Sequence, residues 1–305
     1  MLKTTPFIWK NNEFIKWEDA TTHVLTHALH YGSAVFEGIR AYETNKGPAI
    51  FRGKDHYDRL KASADIYQMP TPYTSERLLK ATKELLSKNN LKSCYIRPLL
   101  YYGYGSMGVN PAKNPIDVII AAWEWGTYLG KEALDMGIRT TISPWQKFSD
   151  KALPTKAKCA ANYANSLLAK QDALARGFDE AILLNQDDFV AEGSGENLFL
   201  IKDNVIYSPP SSDGALEGIT ADSIKTFIHD LGLTFKEKHL SKDILFEADE
   251  LFFTGTAAEV TPICSIDNIT IGAGKKGPLT HQLQQQYFET ITGKHNNYSD
   301  WLDFI

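Results

Sequence analysis

The chain has 305 residues, a net charge of -5 and a sequence pI of about 5.9, so no basic stripe is available to track a phosphate backbone and nucleic acid is not an expected partner. Its 43% hydrophobic and 23% charged residues are those of a folded globular protein, long enough for two cores. The three cysteines, Cys94, Cys159 and Cys264, are far apart and form no CxxC pair, which suits a reducing compartment without disulfides or a structural metal.

In chain order, PFIW, FIKW, VFEGIRAYE and PAIF read as short strands, followed by helices over 55–67 and Ser75–Lys88 and by the strands CYIRPLLYYG and DVIIAAWEW. The turn-rich GTYLGKEALDMG, 126–137, reads as an interdomain loop between a small α+β domain, 1–125, and a large α+β domain, 138–305. The second part opens on IRTTISPW. It then alternates a helix over 162–176, a hairpin AILL-NQDD-FVAE, strands NLFLIK and VIYSP, a helix over 220–231, strand ELFFTG and a last helix after Pro278. No βαβ unit recurs regularly, so the expected class is α+β and not a barrel or a doubly wound parallel sheet. The N-terminal MLKTTPFIWKNNEF lacks the order of a signal peptide and no apolar run reaches membrane-spanning length, so a cytoplasmic protein without membrane contact is expected.

Several motifs carry less than they promise. GYGSMG at 103–108 matches GxGxxG, but Val109-Asn110-Pro111 follows and a helix is disfavoured just before proline. GAGKKG at 272–277 does precede a helix, yet too little chain remains for a βαβ unit. His23, His27 and His30 have helical spacing, but no carboxylate or cysteine nearby completes a metal site. Asp187 and Asp188, in NQDD between two apolar runs, are hairpin-turn residues and not an acid and base pair.

LPTKAKCAANYANS sets Lys156 and Lys158 one residue apart. In an extended segment both side chains face the same way, and spacing does not choose between them. Either they form a solvated basic edge, or one is a desolvated amine able to form a Schiff base.

The segment as a whole is more specific. A lysine, Asn162-Tyr163 four residues on and EGSGENLF some thirty residues later resemble the class IV pyridoxal-phosphate aminotransferases. HALHYGSAVFEGIRAY, YIRPL at 95–99 and TGTAAEVTP at 254–262 resemble their branched-chain amino-acid aminotransferases, and the match spans nearly the whole chain. The resemblance implies a two-domain fold type IV enzyme, similar to D-amino-acid aminotransferase, with the cofactor lysine on the large domain. The reaction it implies is transamination between L-leucine, L-isoleucine or L-valine and 2-oxoglutarate, using pyridoxal 5'-phosphate. The register selects Lys158, which would bind the cofactor, be displaced by the substrate amine and move a proton at the substrate Cα.

By the same resemblance Glu192 faces the cofactor's pyridine nitrogen, which must stay protonated for the ring to act as an electron sink. A helix N-terminus at ALEGITADSIKTF, with Leu216, Ile219 and Thr220, would take the phosphate, with Thr220 as N-cap. Arg59, in the HxxRL motif at 56–60, and Thr256 would join it, and Tyr163 completes the cofactor set. Phe36, Tyr163, Trp125 and Tyr128 would form an aromatic pocket, with Gly38 on the same face as Phe36. Arg97 would take the distal carboxylate of glutamate, while Tyr95, Thr256 and Ala257 hold the α-carboxylate. Tyr31 and Val109 would enter the neighbouring subunit's pocket, making a homodimer the minimal unit; larger assemblies such as hexamers are known in the family. Ala221 and Glu217 depart from the family pattern and make the phosphate turn less positive, and Ala160 and Ala161 stand where glycines are usual. A D-amino-acid aminotransferase or an aminodeoxychorismate lyase shares the lysine and glutamate, but YIRPL and VFEGIR favour the L-branched-chain enzyme.

Overall fold

The computed structural model describes residues 2–126, 130 and 132–305. The chain divides into two units, one of 1–126, 157–161 and 290–305, the other of 127–156 and 162–289. The division after Gly126 lies where the turn-rich segment begins. The sequence pattern places 157–161 and 290–305 in the second domain; in the structure they group with the first, because each pairs with its strands. Cys159 bridges to Val35, and strand Leu302–Phe304 pairs with Gly47–Phe51.

The first unit is built on an antiparallel sheet in the order Leu302–Phe304, Gly47–Phe51, Ile39–Thr44, Cys94–Tyr102, Ile116–Trp123, Phe7–Lys10, Glu13–Lys16, with Ala34–Phe36 also on Cys94–Tyr102. The helices Gly53–Ile66 and Ser75–Lys88 fill one core with it: Tyr57, Leu60, Ala64, Leu78, Leu85 and Leu86 are buried with Ile39, Ile96 and Ile120. Thr74 caps the second helix by accepting from the Arg77 amide at 3.2 Å.

VFEGIRAYE, expected as one strand, is two. Ala34–Phe36 pairs with 99–101 and Ile39–Thr44 with 94–96, leaving Glu37 and Gly38 at the handover opposite Pro98. Proline has no N–H to give a ladder, and here the neighbouring strand breaks where that donor would be missed. The Glu37 amide still donates to the Pro98 carbonyl at 3.0 Å.

The second unit has a mixed sheet in the order Val190–Gly193, Glu180–Leu184, Ile138–Ile142, Glu259–Ile266, Glu250–Gly255, Asn197–Lys202, Val205–Ser208, Thr234–Glu237. Two parallel crossovers, which the sequence pattern does not announce, lie within it. Ile138–Ile142 and Glu180–Leu184 are parallel around helix Tyr163–Ala175, and Val205–Ser208 and Thr234–Glu237 around helix Ile219–Asp230. They do not repeat around the sheet, and the class remains α+β. Strand Glu259–Ile266 is also absent from the sequence reading, since Pro262 interrupts its pattern. Its pairing with Ile138–Ile142 begins only at Ile263, so on that side no ladder bond is asked of the proline. No helix among the described residues is long and apolar enough to cross a membrane.

Candidate active site

On the first unit, Lys158 follows a turn, 155–157, and not a continuous extended segment, which corrects the expectation that Lys156 and Lys158 share a face by strand alternation. Lys156 is exposed; Lys158 is half-buried. The Lys158 amide donates to Ser63 Oγ at 3.0 Å and its carbonyl accepts from the Phe36 amide at 3.1 Å, so the backbone is held on both sides. Its Nζ lies 5.2 Å from the centroid of the Phe36 ring. Ala161 packs against Gly32, whose φ of +63° and missing side chain make the room.

The pocket face of the sheet carries Phe36, Gly38, Tyr95 and Arg97 together: alternation predicts Tyr95 with Arg97 and Phe36 with Gly38, and the Arg97 guanidinium over the Phe36 ring joins the pairs. The Arg97 guanidinium carbon is 4.7 Å from the Phe36 centroid and 5.3 Å from that of Tyr95, and Arg97 Nη2 donates to the Tyr95 hydroxyl at 3.1 Å. A Cβ on Gly38 would sit 2.1 Å from that hydroxyl, so glycine is what allows Tyr95 its position. Trp125 meets Tyr95 edge-on at 4.6 Å, and Arg40 donates to the Trp125 and Gly126 carbonyls at 3.2 and 2.6 Å. Tyr128 lies outside the described residues.

On the opposite face is a group the sequence pattern does not single out. Glu37 is fully buried. Its carboxylate accepts from Arg59 Nε at 2.7 Å and Nη2 at 2.8 Å, and it shares a hydrogen with His56 Nδ1 at 2.7 Å. Burial alone would raise the Glu37 carboxyl, but the Arg59 guanidinium and His56 outweigh it and hold the group well below the usual carboxylate range. Burial pushes His56 down, against the pull of Glu37 and with help from the charges of Arg59 and Lys158. Glu37 stands between Phe36 and Gly38, and strand alternation sends its side chain the other way; that was the available signal.

Around the helix His27–Tyr31 the imidazoles are taken up locally. His27 joins Ser33 Oγ at 2.7 Å and the Gly108 carbonyl at 2.9 Å, and His30 the Val24 carbonyl at 2.8 Å. Tyr31 donates to the Met107 carbonyl at 2.8 Å and is 44% exposed, and Val109 is 81% exposed, with Val24, Leu29 and Tyr104 also open. The loop 103–108 starts no helix; Asn114 braces it through Ser106 and the Gly103 carbonyl.

On the second unit, Glu192 is buried on strand Val190–Gly193, just past a register shift between Val190 and Glu192. Such a bulge re-aims a side chain. One carboxylate oxygen accepts from Lys147 Nζ and the other from the Leu216 amide at 3.0 Å. Lys147 is a second residue the sequence pattern passes over. The helix Ile219–Asp230 is capped by Gly218 and not by Thr220, which is its second residue; this corrects the expected cap. A Cβ at Gly218 would come 1.9 Å from Asn197 Oδ1, while Asn197 Nδ2 donates to the Leu216 carbonyl at 2.8 Å, so the packing of Asn197 against the turn demands a glycine there. Ile219 and Thr220 are buried in the first turn. Thr256 and Ala257 lie half-buried on the turn joining Glu250–Gly255 to Glu259–Ile266, and Tyr163 opens helix Tyr163–Ala175. The glycine-rich 272–277 leads into helix Pro278–Ile291, but the Glu250 carboxylate accepts from the Leu279 and Thr280 amides at 3.1 and 2.7 Å, occupying the place an anion would take. NQDD is a turn, with Asn185 Oδ1 accepting from the Asp187 and Phe189 amides.

Residues 34–266 match the family model for amino-transferase class IV. The chain is 46% identical over 302 residues to the branched-chain-amino-acid aminotransferase of Salmonella typhimurium, covering 99% of this chain and 98% of that one. It is similar to the crystal structure of the Escherichia coli branched-chain amino acid aminotransferase, with a TM-score of 0.97 at 46% identity, covering 98% of this chain and 99% of that one. It is also similar to the crystal structure of the branched-chain amino acid aminotransferase from Thermobaculum terrenum in its PLP-form, with a TM-score of 0.92 at 34% identity over 98% of each chain.

Proposed function

Because the chain belongs to the class IV amino-transferases, and among them to the branched-chain amino-acid aminotransferases, we propose that it moves an amino group between L-leucine, L-isoleucine or L-valine and 2-oxoglutarate with pyridoxal 5'-phosphate, giving the branched-chain 2-oxo acids and L-glutamate. Its fold is that of the type IV pyridoxal-phosphate enzymes. The observation that carries the reading is the pocket face of the first unit, where Phe36 lies beneath both the Lys158 amine and the Arg97 guanidinium.

The residues fit such a cofactor by their chemistry. An amine, a half-buried guanidinium held by a buried carboxylate, an anchored carboxylate and a helix start with no capping side chain are what an aldehyde, a phosphate and a ring nitrogen require. When bound, the cofactor supplies the aldehyde that accepts the amino group and a ring that spreads the charge left at the substrate Cα. Lys158 Nζ, once displaced by the substrate amine, would take the proton from that carbon and deliver it to the carbon that had carried the aldehyde, so that the amino group stays behind when the 2-oxo acid leaves. Glu192, its carboxylate fixed by Lys147 and the Leu216 amide, keeps the ring nitrogen protonated. Arg59 binds the phosphate together with Ile219, Thr220 and Thr256, and Leu216 and Tyr163 line the ring.

Phe36, Trp125 and Tyr163, with Tyr128 added by the family resemblance alone, are the residues that would pack on the branched side chain. Arg97 pairs with the distal carboxylate of glutamate, so one space serves both amino donors. Tyr95, Thr256 and Ala257 hold the α-carboxylate, and Gly38 leaves Tyr95 its room. We read the open apolar surface of Val24, Leu29, Tyr31, Tyr104 and Val109 as the contact of a homodimer, in which Tyr31 and Val109 reach the pocket of a second copy; such a patch on a lone chain marks an interaction site. A cytoplasmic setting is supported by three free cysteines, two of them buried.

Borohydride reduction of the cofactor-loaded protein followed by peptide mapping tests the assignment. The pyridoxyl group is expected on Lys158, and its appearance on Lys156, or nowhere, would sink it.

A further inference from the structure

Glu37 stands where the first unit has no structural need of a charge: fully buried, in the gap between two strands, opposite a proline. Its partners follow a pattern. His56, Arg59 and Ser63 are spaced i, i+3 and i+7 on helix Gly53–Ile66, so they lie on one face. His56 and Arg59 hold the Glu37 carboxylate, and Ser63 receives the amide of Lys158. Phe36, next to Glu37, donates to the Lys158 carbonyl. One helix face and the dipeptide Phe36-Glu37 thus fix both Arg59 and the catalytic lysine.

We propose that Glu37, steadied by His56, is a positioning residue for Arg59, setting the plane of the guanidinium that meets the cofactor phosphate. The inference rests on the reading of Arg59 as a phosphate anchor. Arginine has a long flexible stem, and a phosphate is recognised by a fork held in the right plane. The paired contacts at 2.7 and 2.8 Å, from Nε and Nη2 to the two oxygens of one carboxylate, determine that plane before any ligand arrives. His56 secures Glu37 from the side, and with its proton affinity lowered it does so as a neutral ring donating from Nδ1. One anion and one cation then make the group neutral overall, so the guanidinium is oriented without adding net positive charge beside Lys158.

The test compares the affinity of the full chain, freed of cofactor, for pyridoxal 5'-phosphate and for pyridoxal, which lacks the phosphate, in wild type, Arg59→Met, Glu37→Gln and the double variant. Arg59→Met and Glu37→Gln are each expected to weaken pyridoxal phosphate by at least about tenfold while changing pyridoxal less than about twofold, and the double variant is expected to be no weaker than Arg59→Met alone. An equal loss for both ligands in Glu37→Gln would make Glu37 merely structural and overturn the proposal. So would an unchanged phosphate preference, or full additivity in the double variant. If Arg59→Met itself leaves the preference intact, the anchor reading falls and the proposal with it. Should Glu37→Gln fail to fold, Glu37→Asp keeps the charge but draws it back by one methylene: a selective loss for the phosphorylated ligand supports the proposal, and an unchanged preference overturns it.

Discussion

Lys147 donates to the carboxylate of Glu192 with both side chains only 8% exposed, a charge pair sealed inside the second unit. Removing one partner of such a pair strands the other, which destabilises a protein by about 3–5 kcal/mol. Lys147→Met is therefore expected to lower the urea midpoint markedly. Lys147→Met combined with Glu192→Gln, which leaves no stranded charge, should recover part of the loss; equal stability of wild type and the single variant would mean that the pair contributes nothing.

Arg97 gives one hydrogen bond to Tyr95, and its Nε is buried with no hydrogen-bond partner among the described residues. A buried donor of this kind is satisfied when a carboxylate arrives and tolerated when an aliphatic chain packs on Phe36 instead. Arg97→Met should slow the half-reaction with glutamate by at least about tenfold, or about 1.4 kcal/mol, and that with leucine much less. Single-turnover kinetics with each amino acid read this directly, and an equal loss would assign Arg97 to the shared α-carboxylate or to the fold.

Ala221 is buried beside a cavity of about 240 Å³ whose lining includes Leu216, Glu217, Gly218, Asp222 and Lys225. There is space for a longer side chain, and a positive charge in the first turn of helix Ile219–Asp230 would raise the potential felt by a phosphate. Ala221→Arg is expected to slow loss of the cofactor on dialysis. A rate that is unchanged or faster would defeat the electrostatic argument.

Burial, with the nearby Glu180 and Glu192 adding to it and Lys170 and the Gly195 amide opposing it, pushes the Glu196 carboxyl up to about 8. The folded protein therefore binds this proton more tightly than the unfolded chain does. The stability it contributes is complete below about pH 4.5 and drains away as the pH rises through 8, by at most about 1.4 kcal/mol per pH unit. Glu196→Gln should flatten that decline. Parallel stability curves for wild type and variant between about pH 5 and 9 would refute it.

What could be read from the chain alone was what repeats or is local. Alternation paired Tyr95 with Arg97 and Phe36 with Gly38, the family resemblance brought the two pairs into one pocket, and turn chemistry identified NQDD. Glu37 escaped because its partners lie 19 and 22 residues away on a helix, and Lys147 because Glu192 is 45 residues away; neither distance leaves a period in the sequence. The missed strand at Glu259–Ile266 and the divided VFEGIRAYE both turn on a proline whose tolerance depends on the strand beside it. The cap at Gly218 was set by Asn197, far along the chain, over the preference of threonine for that role.

The first unit is discontinuous, and this gives its assembly an order in time. A ribosome delivers residues 1–126 before 157–161, and both long before 290–305, so the opening unit is completed only after the second unit's segments have been made. Those last residues reach the chemistry. Asp303 accepts from the amide of Gly53 at 3.1 Å, at the start of the helix bearing His56 and Arg59, whose own N-cap, Arg52, gives no capping side chain. The Arg52 amide in turn donates to the Trp301 carbonyl at 2.7 Å. A nascent chain still short of strand Leu302–Phe304 holds the lysine and the arginine but not the lock on the helix that carries the arginine, and loss of the Trp301 and Asp303 contacts would loosen a helix start more than two hundred residues upstream.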